Sequence, residues 1–151
     1  MIVYRLTLAK YVDSAFSGEG SRRVGGRWTP PGYRAVYASS SIALAVLETL
    51  VHADAAVMPK HFVFPVTVPD AISIQVISAA QLPDGWQSTP GPEALQTLGQ
   101  AWLESADACV LKVPSSLVPQ ESNFVLNPVH KDFQQLQRGK PESFVINPRL
   151  L

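Results

Sequence analysis

The chain is short of charge, of sulfur and of long apolar runs, and each shortage removes a class of function. Of 151 residues, 12 are Lys or Arg and 12 are Asp or Glu, so the formal net charge is zero. That balance argues against a protein that works mainly by coating nucleic acid, while leaving room for a small basic pocket. One cysteine, Cys109, excludes a disulfide within the chain. Set in the apolar run ACVLKV, it is expected as a buried thiol. His52, His61 and His130 stand far apart without clustered acid or thiol partners, which argues against a metal site. No apolar run approaches the ~18 residues of a spanning helix, and the start MIVYRLTLAKY has no basic stretch ahead of an apolar one. We therefore expect a soluble, cytoplasmic chain with no membrane contact. The absence of GxSxG and GxxxxGK[ST] sets aside the elbow-type serine hydrolases and the Walker-type ATPases.

What is abundant is punctuation. Thirteen prolines and nine glycines spread along the chain imply many turns between short elements, and the length suits one domain, residues 1–151. IVYRL (2–6) and AVYAS (35–39) are expected strands separated by a long polar loop. Serines 39 to 41 offer an N-cap for a helix over residues 41–54, SIALAVLETLVHAD, apolar nearly all round and so expected to be buried. HFVFPVTVP and ISIQVI are strands, with Pro65 marking an edge or a bulge. EALQTLGQAWLES has Leu95, Leu98 and Trp102 at helical spacing. ACVLKVP is a central strand. NFVLNP (123–128) and SFVINP (143–148) are two similar strand ends, and HKDFQQLQRG between them is a short helix closed by Gly139. Strands and helices interspersed without a regular alternation indicate a mixed α+β domain.

Three stretches carry candidate chemistry. In GGRWTPPG, glycines and prolines shape the loop that bears Arg27. Such a guanidinium either makes a bidentate contact to phosphate or carboxylate or is merely solvated. Glu48 and His52 lie four apart on one helix face with no Lys or Arg on the helix, so that face meets either a cleft or open water. VPSSLVPQESNFVLNP gathers Ser115, Ser116, Gln120, Glu121, Ser122, Asn123 and Asn127, which either orient a polar ligand or bond their own backbone in turns.

With these pieces in view, the chain resembles the RES domain family, named for arginine, glutamate and serine, the toxin halves of bacterial toxin–antitoxin pairs. The resemblance covers almost the full chain: YRL, GGRW with Arg27, VYASSS and LAVLETLVH with Tyr37, Glu48 and His52, then VPSSLVP and NFVLNP with Ser116, Asn123 and Asn127. One position departs, since Thr29 stands after GGRW where the family often has asparagine. The resemblance implies a fold similar to that of ADP-ribosyltransferases and NAD⁺ as substrate, with cleavage of the nicotinamide–ribose bond. It implies Glu48 as the carboxylate beside the ribosyl cation, Arg27 on the pyrophosphate or a phosphate co-substrate with Arg5 assisting, and Tyr37 stacking on nicotinamide or bonding the ribose. Ser116 and Asn123 would supply neutral hydrogen bonds, and His52 would position the ribose or an attacking group. It also implies an Xre-type antitoxin with a helix-turn-helix domain as partner and a homodimer in that complex. Two alternatives belong beside it: a mono-ADP-ribosyltransferase acting on a host protein, and a binding module without turnover.

Overall fold

The computed structural model describes residues 1–54 and 59–151. Eight strands form one sheet: β1 (Ile2–Leu8), β2 (Val36–Ser39), β3 (His61–Thr67), β4 (Ile74–Val76), β5 (Val110–Pro114), β6 (Ser122–Leu126), β7 (Gln137–Arg138) and β8 (Glu142–Phe144). Their order is β4-β5-β6-β2-β1-β3-β7, with β8 also on β3. Only β4 and β5 run parallel; the remaining pairs are antiparallel. Among the described residues three helices, α1 (Glu19–Val24), α2 (Ile42–Leu50) and α3 (Glu93–Ser105), complete a mixed α+β architecture.

The period-two alternation of β5 and β6 sorts their side chains between two layers. Val110, Phe124 and Leu126 join Val3, Phe64, Val66 and Cys109 in one cluster. Leu111, Val113 and Val125 join Trp28, Leu95 and Trp102 in another, beneath α3. Full burial of a leucine such as Leu95 or Leu111 contributes about 1.5–3 kcal/mol over leaving it exposed. Cys109 is fully buried. Burial, with a smaller push from Asp132, raises its thiol to about 11 and leaves it an inert core residue.

Helix α3 holds the Arg27 loop by direct backbone contact. A Cβ at Gly99 would stand 1.5 Å from the Trp28 carbonyl oxygen, so only glycine fits there. Gln96 Nε2 donates to the carbonyls of Gly26 and Thr29 at 2.9 and 3.3 Å.

Four expectations need correction. Helix α2 is capped by Ser41, whose Oγ accepts from Leu44 N at 3.0 Å, but it ends at Leu50. The amides of His52 and Ala53 bond three residues back, to Thr49 and Leu50, a tightening that closes the helix. Nor is α2 buried all round: Leu44, Ala45 and Val46 are buried, whereas Leu47 and Val51 are exposed. The long loop before β2 contains α1, which Glu19 steadies by pairing with Arg22 and Arg23. Residues 130–139 form a 3-10 turn (Phe133–Gln135) and strand β7, not a helix closed by Gly139. Phe133 and Leu136, three apart and both buried, suit the tighter winding, and Gly139 instead lets the chain approach Pro65, whose carbonyl accepts from Gly139 N at 2.7 Å. Pro65 itself falls between the β8 and β7 contacts on β3, so its missing N–H costs the sheet nothing there.

Candidate active site

Strands β1 and β2 share a single registered pair, Tyr4 with Ser39, before they part. Arg5 fills the parting. Its Nη1 donates to the Tyr37 carbonyl on β2 at 3.1 Å and its Nε to the loop carbonyl of Ala15 at 3.1 Å, so one side chain gives both backbone acceptors a donor. Desolvation lowers the guanidinium from 12.5 to about 10, which leaves it charged at neutral pH. Among the described residues it has no acid within ion-pair distance.

A cavity of about 190 Å³ opens beside it, lined among others by Arg5, Tyr37, Ser39, Glu48, Thr49 and Asn123. Glu48 reaches it from the last full turn of α2. Its Oε1 accepts from Ser115 Oγ at 2.8 Å and from Asn123 Nδ2 at 2.6 Å. Because a carboxylate accepts and does not donate, the Asn123 amide is fixed in one orientation, with its Oδ1 accepting from Ser39 Oγ at 2.7 Å. The resulting line from Ser39 through Asn123 to Glu48 follows from the register that sets Ser39 opposite Asn123. Both donors reach Oε1, and among the described residues Oε2 accepts no hydrogen bond.

The GGRW loop seats Tyr37. Gly25 takes φ +71°, and a Cβ at Gly26 would lie 2.6 Å from the Tyr37 hydroxyl. That hydroxyl is shared with Thr29 Oγ1 at 2.8 Å and accepts from Trp28 N at 3.3 Å. Thr29, wholly buried, thus holds the tyrosine at the position where the sequence departs from the pattern of the family it resembles. Burial raises the Tyr37 phenol above its ordinary value, offset in part by the bonds to Thr29 and Trp28. Tyr37 thus lines the cavity with its hydroxyl already engaged by Thr29 and Trp28.

The structure therefore gathers four of the expected residues, Arg5, Tyr37, Glu48 and Asn123, around one cavity. Three others lie elsewhere. Arg27 does not line it; its Nη1 donates to the Trp86 and Ser88 carbonyls at 3.1 and 2.9 Å. His52 is exposed beyond the end of α2, so the helical spacing that joined it to Glu48 does not hold. Ser116 contributes its carbonyl, which accepts from Gln87 Nε2 at 3.0 Å, while the serine on Glu48 is its neighbour Ser115. The alternation of β5 carries part of the signal for that choice: Ser115, just past its end, continues the spacing of Leu111 and Val113, whereas Ser116 lies in the bend that follows. Ser39 was legible only as a strand end or helix cap, and its bond to Asn123 gives it a place in the site.

Comparisons with known proteins identify the family. The RES domain family model matches residues 2–147. The chain is 40% identical over 152 residues to Toxin Res of Yersinia enterocolitica, covering 99% of each. It is 35% identical over 144 residues to the Prs ADP-ribosylating toxin of a Sphingobium species, covering 93% of this chain and 89% of that protein. Among solved structures, a chain of the M. tuberculosis MbcT–MbcA toxin–antitoxin complex matches with a TM-score of 0.77 at 23% identity, over 99% of this chain and 85% of that one, a likeness of fold. Matched across nearly its whole length by the family model and by relatives named as toxins, the chain belongs to the RES domain family.

Proposed function

We propose that the chain is the toxin of a toxin–antitoxin pair and that it cleaves the nicotinamide–ribose bond of NAD⁺. The observation that supports this best is that one cavity is lined by both Arg5 and Glu48, the latter a carboxylate held by Ser115 and Asn123 through one oxygen. NAD⁺ carries an anionic pyrophosphate and a cationic nicotinamide ribosyl end, so it calls for opposite charges within one site. At about 190 Å³ the cavity is smaller than the ~300–1,000 Å³ of whole small-molecule sites. It suits the nicotinamide ribose, with the rest of the dinucleotide lying outside it.

In the reaction, the bond between ribose C1′ and the pyridinium nitrogen breaks and its electron pair stays with nitrogen, giving neutral nicotinamide. The ribosyl carbon becomes oxocarbenium-like. Glu48 Oε2 stabilises that charge or orients the incoming oxygen, a pre-aligned group whose position needs no rearrangement during the step. Water at C1′ yields ADP-ribose and a proton; phosphate yields ADP-ribose 1″-phosphate. Tyr37 supplies a ring face to the nicotinamide, and Arg5 and Arg27 take the anionic part. NAD⁺ is consumed as substrate, and depletion arrests growth. The partner is an Xre-type antitoxin with a helix-turn-helix domain that covers this site, and the toxin is a homodimer in the complex.

A second reading has its own support. The Sphingobium relative is named for ADP-ribosylation of Prs, so a protein side chain is the alternative acceptor. One experiment separates the readings: the purified chain is incubated with labelled NAD⁺, with and without phosphate and with and without lysate. Free ADP-ribose or its phosphate supports NAD⁺ depletion, and a labelled protein band supports transfer. No nicotinamide release under any condition would leave a binding module without turnover.

A further inference from the structure

We infer that Gln87 is a positioning residue for Arg27, acting through the loop 83–92, and that it couples the arginine to the turn carrying Ser115. This deepens the NAD⁺ reading and rests on it. The two hydrogens of Arg27 Nη1 go to backbone carbonyls, Trp86 O at 3.1 Å and Ser88 O at 2.9 Å. A third contact, Nη2 to Thr89 Oγ1, is long at 3.5 Å. The guanidinium is therefore aimed by the loop backbone from its Nη1 side. The Nε and Nη2 edge, the fork that grips a phosphate side-on, is left for an anion. The fit is close, since a Cβ at Gly91 would lie 2.6 Å from Nη1.

The loop has few holds of its own on the rest of the fold. Trp86 N and Ser88 N bond back to Pro83 O and Gly85 O, and Ser88 Oγ donates to Pro90 O, all within the loop. Trp86 packs against the cluster beneath α3, and Gln87 Nε2 donates to Ser116 O at 3.0 Å. Gln87 is thus the polar tie between the loop that aims Arg27 and the turn whose Ser115 holds Glu48. It is itself exposed, so its removal should cost the core nothing while loosening the aim of a charge that must grip phosphate.

Nicotinamide release against NAD⁺ concentration tests this on the parent chain, Gln87→Ala, Gln87→Glu, Arg27→Lys and the double variant Arg27→Lys/Gln87→Ala. Gln87→Ala should raise KM about 3- to 10-fold, as loss of one hydrogen bond does, with the melting temperature unchanged. Its kcat should stay within about two-fold of the parent, because the interaction lost serves binding. Gln87→Glu, similar in size but an acceptor facing a carbonyl, should do at least as much. In the Arg27→Lys background, where no fork remains to aim, Gln87→Ala should add nothing. An unchanged KM in Gln87→Ala, or the same rise in both backgrounds, overturns the inference while leaving the NAD⁺ reading intact. If Arg27→Lys alone leaves KM unchanged, the arginine's part in that reading fails and this inference falls with it. Hydrogen exchange over residues 84–91 gives a readout free of turnover: it should quicken in Gln87→Ala, and unchanged protection overturns the anchoring role.

Discussion

Ser115 Oγ donates to Glu48 Oε1 at 2.8 Å and at the same time accepts from the amides of Leu117 and Val118, both at 3.1 Å. One hydroxyl thus closes its own turn and fixes a carboxylate on a helix 67 positions earlier in the chain. Ser115→Ala should lower nicotinamide release by about 10- to 100-fold, because a slightly misplaced carboxylate forfeits much of its effect. Two partly buried amides lose their acceptor as well, so stability should fall by about 1–3 kcal/mol. Ser116→Ala should retain most of both. Turnover and urea midpoints on the two variants decide which serine belongs to the site, and the reverse order would return it to Ser116.

Glu48→Gln separates charge from shape. The glutamine can turn its oxygen to Ser115 and Asn123, so the hydrogen bonds and the melting temperature should hold. Without the negative charge beside the ribosyl carbon, turnover should drop by roughly 10²-fold or more. Near-normal turnover would remove Glu48 from the catalytic set.

Arg5 ties two backbone carbonyls, and two substitutions part that structural duty from the proposed binding of NAD⁺. Arg5→Met leaves the Ala15 and Tyr37 carbonyls without their donor and should cost about 1–3 kcal/mol in a denaturant titration. Arg5→Lys keeps a charge but cannot reach both carbonyls as the planar group does, so it should raise the KM for NAD⁺ with a smaller loss of stability. Equal losses of stability with unchanged KM would make Arg5 structural alone.

Acid should loosen α1 ahead of the sheet. The hydrogen bond from Arg22 holds the Glu19 carboxyl down at about 2 against an ordinary 4.5, with Arg22, Arg34 and Arg23 adding their charge. A folded value below the unfolded one means that its stabilisation is complete above about 4.5 and is lost as the pH falls toward about 2. Glu19 is solvent-accessible, so the effect should be local and should fade in high salt. Amide shifts of residues 19–24 followed by NMR from pH 6 to 2 should report it, and Glu19→Gln should abolish the transition.

The elements that the sequence disclosed were those whose pattern is local. Helix α3 agrees with expectation at both ends, Glu93 to Ser105, because its apolar spacing is set by one face against the core. Helix α1 has no such pattern: six residues with Gly20 inside and glycines on both flanks carry no apolar stripe. At the site, Glu48, Tyr37 and Asn123 were legible because family motifs mark them. Which oxygen bonds which donor was not, since the Glu48–Asn123 contact spans 75 positions and depends on strand register. Arg27 shows the limit from the other side. Its loop was recognisably shaped, but the carbonyls that aim it lie about 60 residues away in a segment that reads only as turns.

The bare backbone contact of Gly99 with Trp28 also has a genetic consequence. If expression of the chain halts growth, a selection for surviving cells should return substitutions at Gly99 as well as at the cavity, since any side chain there must push α3 off the loop behind Tyr37. Gly26 and Gly91, which abut Tyr37 and Arg27, should join them. Such survivors would form a seam of glycine lesions at positions that do not line the cavity, and their full-length product should still accumulate. A scan of survivors could therefore trace the seating of the site through residues that have no side chain to take part in it.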